Sequence, residues 1–261
     1  MHHCLTWGDR FIGRPFFLSR SKTMRKMLFS GALLLLAAGQ AQADYQCRVN
    51  PQDDIVISPQ QVKVVGASGN LSISPSGDVQ RNGSLVSTDP ATRQKAIDYQ
   101  NALRRDLTWI DNGAKQRLEK GRVALDRVIV DKLGQNSNVR KRLTTLDSQL
   151  KQQMNRIIEH RSDGLTFHHQ AVAEVRQDGE QLVQSALGGV VQDSLNEMGT
   201  KSVGNGDNPL QAIMGNLGGL QQSIQAEWNN QQQDFQNFGH EVCNRVISLE
   251  DQRKALIAGL K

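Results

Sequence analysis

The chain has 261 residues, with 31 Lys and Arg against 26 Asp and Glu and a formal net charge of +5. Six of those basic residues (Arg10, Arg14, Arg20, Lys22, Arg25, Lys26) and one acid (Asp9) lie in residues 1–43. Without that stretch the chain carries 25 of each sign, and the general electrostatic case for nucleic-acid binding goes with it.

The first elements read as an export signal. Met24-Arg25-Lys26 is a short basic start, Met27–Ala38 is an apolar run, and Ala41-Gln42-Ala43 supplies small residues two apart. That is the layout of a secretory signal peptide over residues 24–43, with cleavage expected between Ala43 and Asp44. The apolar run is shorter than the roughly 20 residues a spanning helix needs, so no transmembrane segment is expected after signal removal. Residues 1–23 precede the place where such signals begin and are read as an over-extension of the reading frame. The expected location is the periplasm, across the inner membrane.

Residues 44–88 read as strands. Ile55-Val56-Ile57 is a short apolar run, and Val62, Val64, Leu71 and Ile73 alternate with polar residues at the period of a half-buried strand. Asn82-Gly83, flanked by strand-like residues, is a strong hairpin signal because both turn positions need positive φ. The reading is a small antiparallel meander. Alone it would be marginal, so its apolar face must pack on something.

Residues 89–261 read as helical. Asp89-Pro90 opens the first helix, Asp as cap and Pro at the first helical position. Apolar positions then recur mostly three or four apart from Ile97 to Leu133, and Gly134 is a plausible stop. A second helix carries Val139, Leu143, Leu146, Leu150, Met154, Ile157 and Ile158 on one face and is expected to end near Ser162-Asp163-Gly164. Leu165-Thr166-Phe167 alternates and is ambiguous. The helical period returns from Gln170 through Val172, Val175, Leu182, Val183, Leu187, Val191, Leu195 and Met198. Residues 199–208 are expected to form a loop, and Asn208-Pro209 restarts helix. From Leu210 to Leu260 the apolar positions step mainly by three, four or seven, close to the coiled-coil period. Gly218-Gly219 and Gly239 predict kinks or a break in that segment. The stripe is read as packing between helices, with a partner-binding stripe as the alternative. The Gln- and Asn-rich stretch 221–236 reads as a solvated helix face. The fold class is thus α+β: a small N-terminal antiparallel β-meander, then long amphipathic helices in a bundle or extended hairpins.

Chemistry is sparse. Cys47 fails as a lipid anchor, since Asp44 and Gln46 occupy the positions where a lipobox needs a Leu-like and a small residue. It fails as a metal cluster for want of a neighbouring cysteine. After residue 43 the remaining cysteine is Cys243. An even pair in an oxidising compartment is most simply a disulfide; two separate thiols or an intermolecular bridge are the alternatives. His160, His168 and His169, with Glu159 and Asp163, offer suitable transition-metal ligands but match no motif, and are read as surface or loop histidines. His240-Glu241 begins a zinc-protease motif that fails at Asn244. No P-loop, nucleophile elbow, dinucleotide fingerprint or C-x-x-C pair occurs. The sequence therefore assigns no catalytic, cofactor-binding or metal-binding residue, and no cofactor.

The segments "DYQCRVNPQDDIVISPQQVKV", "ISPSGDVQRNGSLV", "DPATRQKAIDYQNALRRDL" and "HEVCNRVISLEDQRKAL" resemble the YggN family, uncharacterised periplasmic proteins of enterobacteria and their relatives. The resemblance implies a periplasmic location, supports keeping Cys47 and Cys243 together, and lends no catalytic residues. The expected role is a non-catalytic protein-binding or envelope-support module. Its expected partner is another periplasmic or envelope protein, and self-association is open. The alternatives are a periplasmic enzyme with a site assembled from non-contiguous residues, or a peripheral membrane-surface protein, against which the balanced charge speaks.

Overall fold

The computed structural model describes residues 47–67, 69–202 and 209–260. The expected signal segment, residues 1–23 and the Ala43–Asp44 junction lie outside the described residues, as do residues 203–208 of the expected loop. Residues 199–202 of that loop are helical instead.

The meander forms as β1 (Asp53–Ile57), β2 (Val62–Gly66), β3 (Leu71–Ile73), β4 (Val79–Arg81) and β5 (Ser84–Val86). Its last turn sits on Asn82 and Gly83 at φ 52° and 86°, the backbone that an Asn-Gly pair tolerates. The registers Ile57↔Val62, Val62↔Ile73 and Ile73↔Val79 put these side chains on one face, because successive strand residues alternate sides. That face is buried, and Val62, Ile73 and Val79 are fully so.

Two further strands correct the expectation for residues 158–167. The second helix stops at Ile157, and β6 (Ile158–Arg161) and β7 (Gly164–Phe167) form a hairpin. The sheet order is β5-β4-β3-β2-β1-β7-β6, antiparallel throughout. The reason is tertiary. β1 has a free edge once the meander is built, and β7 satisfies it through Ile55↔Phe167, Val56↔Thr166 and Ile57↔Leu165. Ile158, which continues the helical stripe in sequence, turns extended (φ −123°, ψ 97°) and buries in the sheet. Gly164 passes so close to Ile57 that a Cβ there would run into the Ile57 carbonyl oxygen.

Four helices complete the described fold: α1 (Pro90–Leu133), α2 (Asn138–Ile157), α3 (Ala171–Ser202) and α4 (Pro209–Gly259). Asp89 caps α1, its Oδ1 accepting from the Thr92 N–H at 2.6 Å. Gly134 ends α1 at φ 96° and Ser137 caps α2. The break expected at Gly218-Gly219 or Gly239 does not occur. α4 runs 51 residues, about 77 Å at 1.5 Å per residue, because packing along α1 outweighs the weak propensity of three glycines. Pairs such as Asp106–Arg245 and Arg117–Asp234 show α1 and α4 antiparallel; Arg142–Asp193 and Arg156–Glu174 show the same for α2 and α3.

The sheet packs on the N-terminal half of α1 (Ala96, Tyr99, Ala102, Leu103, Leu107) and the C-terminal end of α4 (Leu249, Leu256, Leu260). A second, smaller cluster lies at the far end of the helices: Ile129, Leu133, Val139 and Leu220. Between Leu107 and Ile129 the buried positions of α1 are Asp111 and Gly113, neither of them a large apolar residue.

Candidate functional sites

Cys47 and Cys243 are joined, their Cα atoms 5.5 Å apart. The bond ties the residues leading into β1 to α4, so the first and last parts of the described chain are one unit. This is the pairing that the cysteine count favours.

Below the disulfide the α1–α4 seam is an alternating stack of charges and rings. Asp106, buried, accepts from Arg245 at 2.7 Å. The Arg245 guanidinium lies 4.0 Å over the Trp109 ring, Trp109 packs on Phe238, and Arg117 lies 4.0 Å over Phe238. Arg117 then reaches Asp234 at 3.0 Å. Gly113 makes room for the Phe238 ring, which a Cβ there would strike. Each arginine is thus held between a carboxylate and a ring face. Such contacts contribute about 0.5–2 kcal/mol each and specify which residues of two long helices face one another.

The β6–β7 hairpin sorts the three clustered histidines into two places. His160 faces α1, where its Nε2 lies 2.9 Å from Asp111 Oδ2 and 2.8 Å from Lys115 Nζ; Lys115 Nζ is 2.8 Å from the same carboxylate oxygen. The Asp111 side chain is only 5% exposed, so this carboxylate enters the interior with the Lys115 ammonium and the His160 ring as partners rather than alone. His168 and His169 lie on the other side of the hairpin. Asp54 accepts from the His169 backbone N–H at 2.9 Å and meets His169 Nδ1 at 2.6 Å, while His168 Nε2 lies 3.2 Å from Glu159. Partial burial pushes the Asp54 carboxyl up, but the His169 backbone and ring together with His168 outweigh it and hold the group below its ordinary value. Asp163 stays with Arg161. Among the described residues, no group of three or more His, Cys, Asp and Glu could hold a metal ion. The histidines are clamps: one to α1, two to β1 and β6.

Tyr99 is the buried phenol of the core. Burial pushes its hydroxyl far above the usual range, and Arg253 opposes this only in part. Glu241, after His240, is engaged by Arg245 at 2.8 Å. Two grooves of about 490 and 640 Å³ run along the helices, a polar one beside Arg122, Asp126 and Arg140 and a more apolar one beside Lys115, Val123 and Ala124. Neither contains a cysteine, a histidine or a buried carboxylate with which to build acid–base or nucleophilic chemistry.

The surface of α3 is of another kind. Four of its five acids turn toward α2: Glu174 and Asp178 to Arg156, Asp193 to Arg142, Glu197 to the Asn138 N–H; Glu180 is exposed. From Gln181 to Gln192 the helix carries no charge at all. Val172, Val183, Leu187 and Leu195 are 40–43% exposed along it. On α4 Trp228 is 47% exposed and stacks on Phe235 at 5.9 Å. Periodicity places these residues on helices but does not say which stripe remains uncovered. Asp54, Asp111 and Lys115 carry no sequence signal; each is marked only by what the fold brings to it.

Among the described residues no helix is long and apolar enough to cross a membrane. A family model described as "Protein of unknown function (DUF2884)" matches residues 47–261. The chain is 58% identical over 239 residues to the "Uncharacterized protein YggN" of Escherichia coli strain K12, covering 91% of this chain and 100% of that one. The same figures hold for the proteins of that description in Escherichia coli O6:H1 and O157:H7. No solved structure matches.

Proposed function

The chain belongs to the DUF2884 family, and from that premise we propose that it is an exported periplasmic protein that acts by binding another envelope protein and not by catalysis. The observation that carries the reading is the outward face of α3. A solvated helix normally presents charge there, and this one presents Val183 and Leu187 within the charge-free stretch and Leu195 just beyond it. The titratable clusters are already occupied in holding the hairpin and the α1–α4 seam, which leaves binding as the role the surface suits. The basic–apolar–small layout of residues 24–43 supports export, and a disulfide is compatible with an oxidising compartment.

The test is a photo-crosslinking residue placed at Leu187 in the full chain expressed in cells. A discrete adduct in the periplasmic fraction, absent when the same residue replaces the exposed Gln149 of α2, is the expected result. Retention of the chain in the cytoplasm, or identical adducts from both positions, overturns it.

A further inference from the structure

We propose that the more apolar groove, between α1 and α4, binds a small zwitterion: an amino acid or short peptide with free termini, its ammonium on Glu227 and its carboxylate on Arg127. The groove opens where the long helices lack apolar filling, since α1 buries no large apolar side chain between Leu107 and Ile129. Half-buried Val123 and Ala124 line it, and its volume of about 640 Å³ is that of a small-molecule site. Five charged side chains line it too, and three are spent within the chain. Lys115 is held by Asp111, Lys120 by Asp234 at 3.4 Å, and Glu119 by Arg122. Arg127 on α1 and Glu227 on α4 remain, and among the described residues neither has a counter-charge within ion-pair reach. Arg127 lies seven residues after Lys120, and Glu227 seven residues before Asp234. In an antiparallel pair they therefore repeat the Lys120–Asp234 level two turns further on. At the first level the helices close an ion pair; at the second they leave the two charges apart on the walls of a groove.

Gln231 points to the same ligand independently. It is 6% exposed and lines the groove. Its Nε2 donates to Glu227 Oε1 at 2.7 Å, which fixes the orientation of the amide, and no donor among the described residues reaches its Oε1. A buried acceptor without a donor is costly. A ligand ammonium has three donors, enough to serve Gln231 Oε1 and the Glu227 carboxylate together. The Arg127 guanidinium takes a carboxylate through two parallel bonds. An amine alone would leave Arg127 without a counter-charge, and an anion alone would leave Glu227 without one, so a molecule carrying both charges is selected over either. An aliphatic side chain on it covers Val123 and Ala124. The site uses no residue of α3 and stands apart from the protein-binding reading.

The test is a titration of the full chain with the dipeptide alanyl-alanine, read by nuclear magnetic resonance of the Gln231 side-chain amide and of the indole of Trp228, the residue after Glu227. A saturating shift at both, with a dissociation constant below about 10 mM, is the expected result. N-acetyl-alanyl-alanine amide, which carries neither charge, should bind about tenfold or more weakly. Glu227→Gln and Arg127→Gln should each cost the dipeptide a similar factor, while Glu180→Gln on α3 leaves its affinity unchanged. Circular dichroism confirms that each variant is folded. No saturable shift up to about 10 mM, equal affinity for the charged and blocked dipeptides, or undiminished affinity in folded Glu227→Gln or Arg127→Gln overturns the assignment.

Discussion

The sheet end and the far end of the helices are built from the same kinds of residue but reach different degrees of closure. At the sheet end, α1 and α4 lie against a flat apolar face, and Val62, Ile73, Leu103 and Leu256 are fully buried. At the far end the helices pack on one another, and among the described residues the buried cluster there is Ile129, Leu133, Val139 and Leu220. A helix offers a stripe and a sheet offers a plane. Two stripes closed by a plane exclude water more completely than four stripes meeting edge to edge. The difference teaches that the sheet anchors the fold, while the helices carry exposed surface away from that anchor.

The comparison can be broken most strongly at the disulfide, which staples the sheet end. Replacing both Cys47 and Cys243 by serine should lower the urea-derived stability by about 2–5 kcal/mol, and hydrogen exchange should quicken in β1 and β2 ahead of α2 and α3. An equal loss of protection at both ends would erase the distinction. The same chemistry applied at each end sharpens it. Leu103→Ala, at 0% exposure among sheet and helix side chains, should cost about 4 kcal/mol, and Leu133→Ala in the far cluster nearer to about 2 kcal/mol. Equal costs by urea unfolding would show that the far end is as closed as the sheet end.

Gly113→Ala probes the region between. Its Cβ would strike Phe238 and disturb the stack that runs through Arg117 and Arg245, for about 1–3 kcal/mol. Near-ultraviolet circular dichroism of Trp109 should report the change. The smallest effect belongs to Asp54. Its carboxyl is held below the ordinary value of 3.8, so it adds stability above that pH and loses it as pH falls through the lowered value. Asp54→Asn should therefore flatten the fall of stability below about pH 4 and leave its slope near pH 7 unchanged. A change confined to neutral pH would contradict the assignment.

Much of the fold was legible where the signal is local. The Asn82-Gly83 turn, the Asp89-Pro90 helix start, the Gly134 stop and the alternation of Val62, Val64, Leu71 and Ile73 each depend on a few neighbouring residues. The pairing of Cys47 with Cys243 followed from a count of cysteines together with the expectation of an oxidising compartment. The β6–β7 hairpin was hidden because Ile157-Ile158 continues a helical stripe, and only the edge of β1, some 100 residues earlier, rewards strand over helix. The continuity of α4 was hidden for a related reason: its glycines predict weakness, while the compensating contacts come from α1. The candidate sites were the least legible, since histidines that neighbour one another in sequence separate onto opposite sides of a hairpin. Asp111 acquires its meaning only when His160 arrives from the sheet.

By itself the sequence determined the local conformations, namely turns, caps and the period of each apolar stripe, because φ/ψ preference and side-chain spacing are short-range properties. Tertiary structure alone decided which stripe was covered. That choice depends on area offered by distant elements: the sheet took the faces of α1 and α4, α2 took acids of α3, and the second cluster took Val190, while Val183 and Leu187 stay exposed.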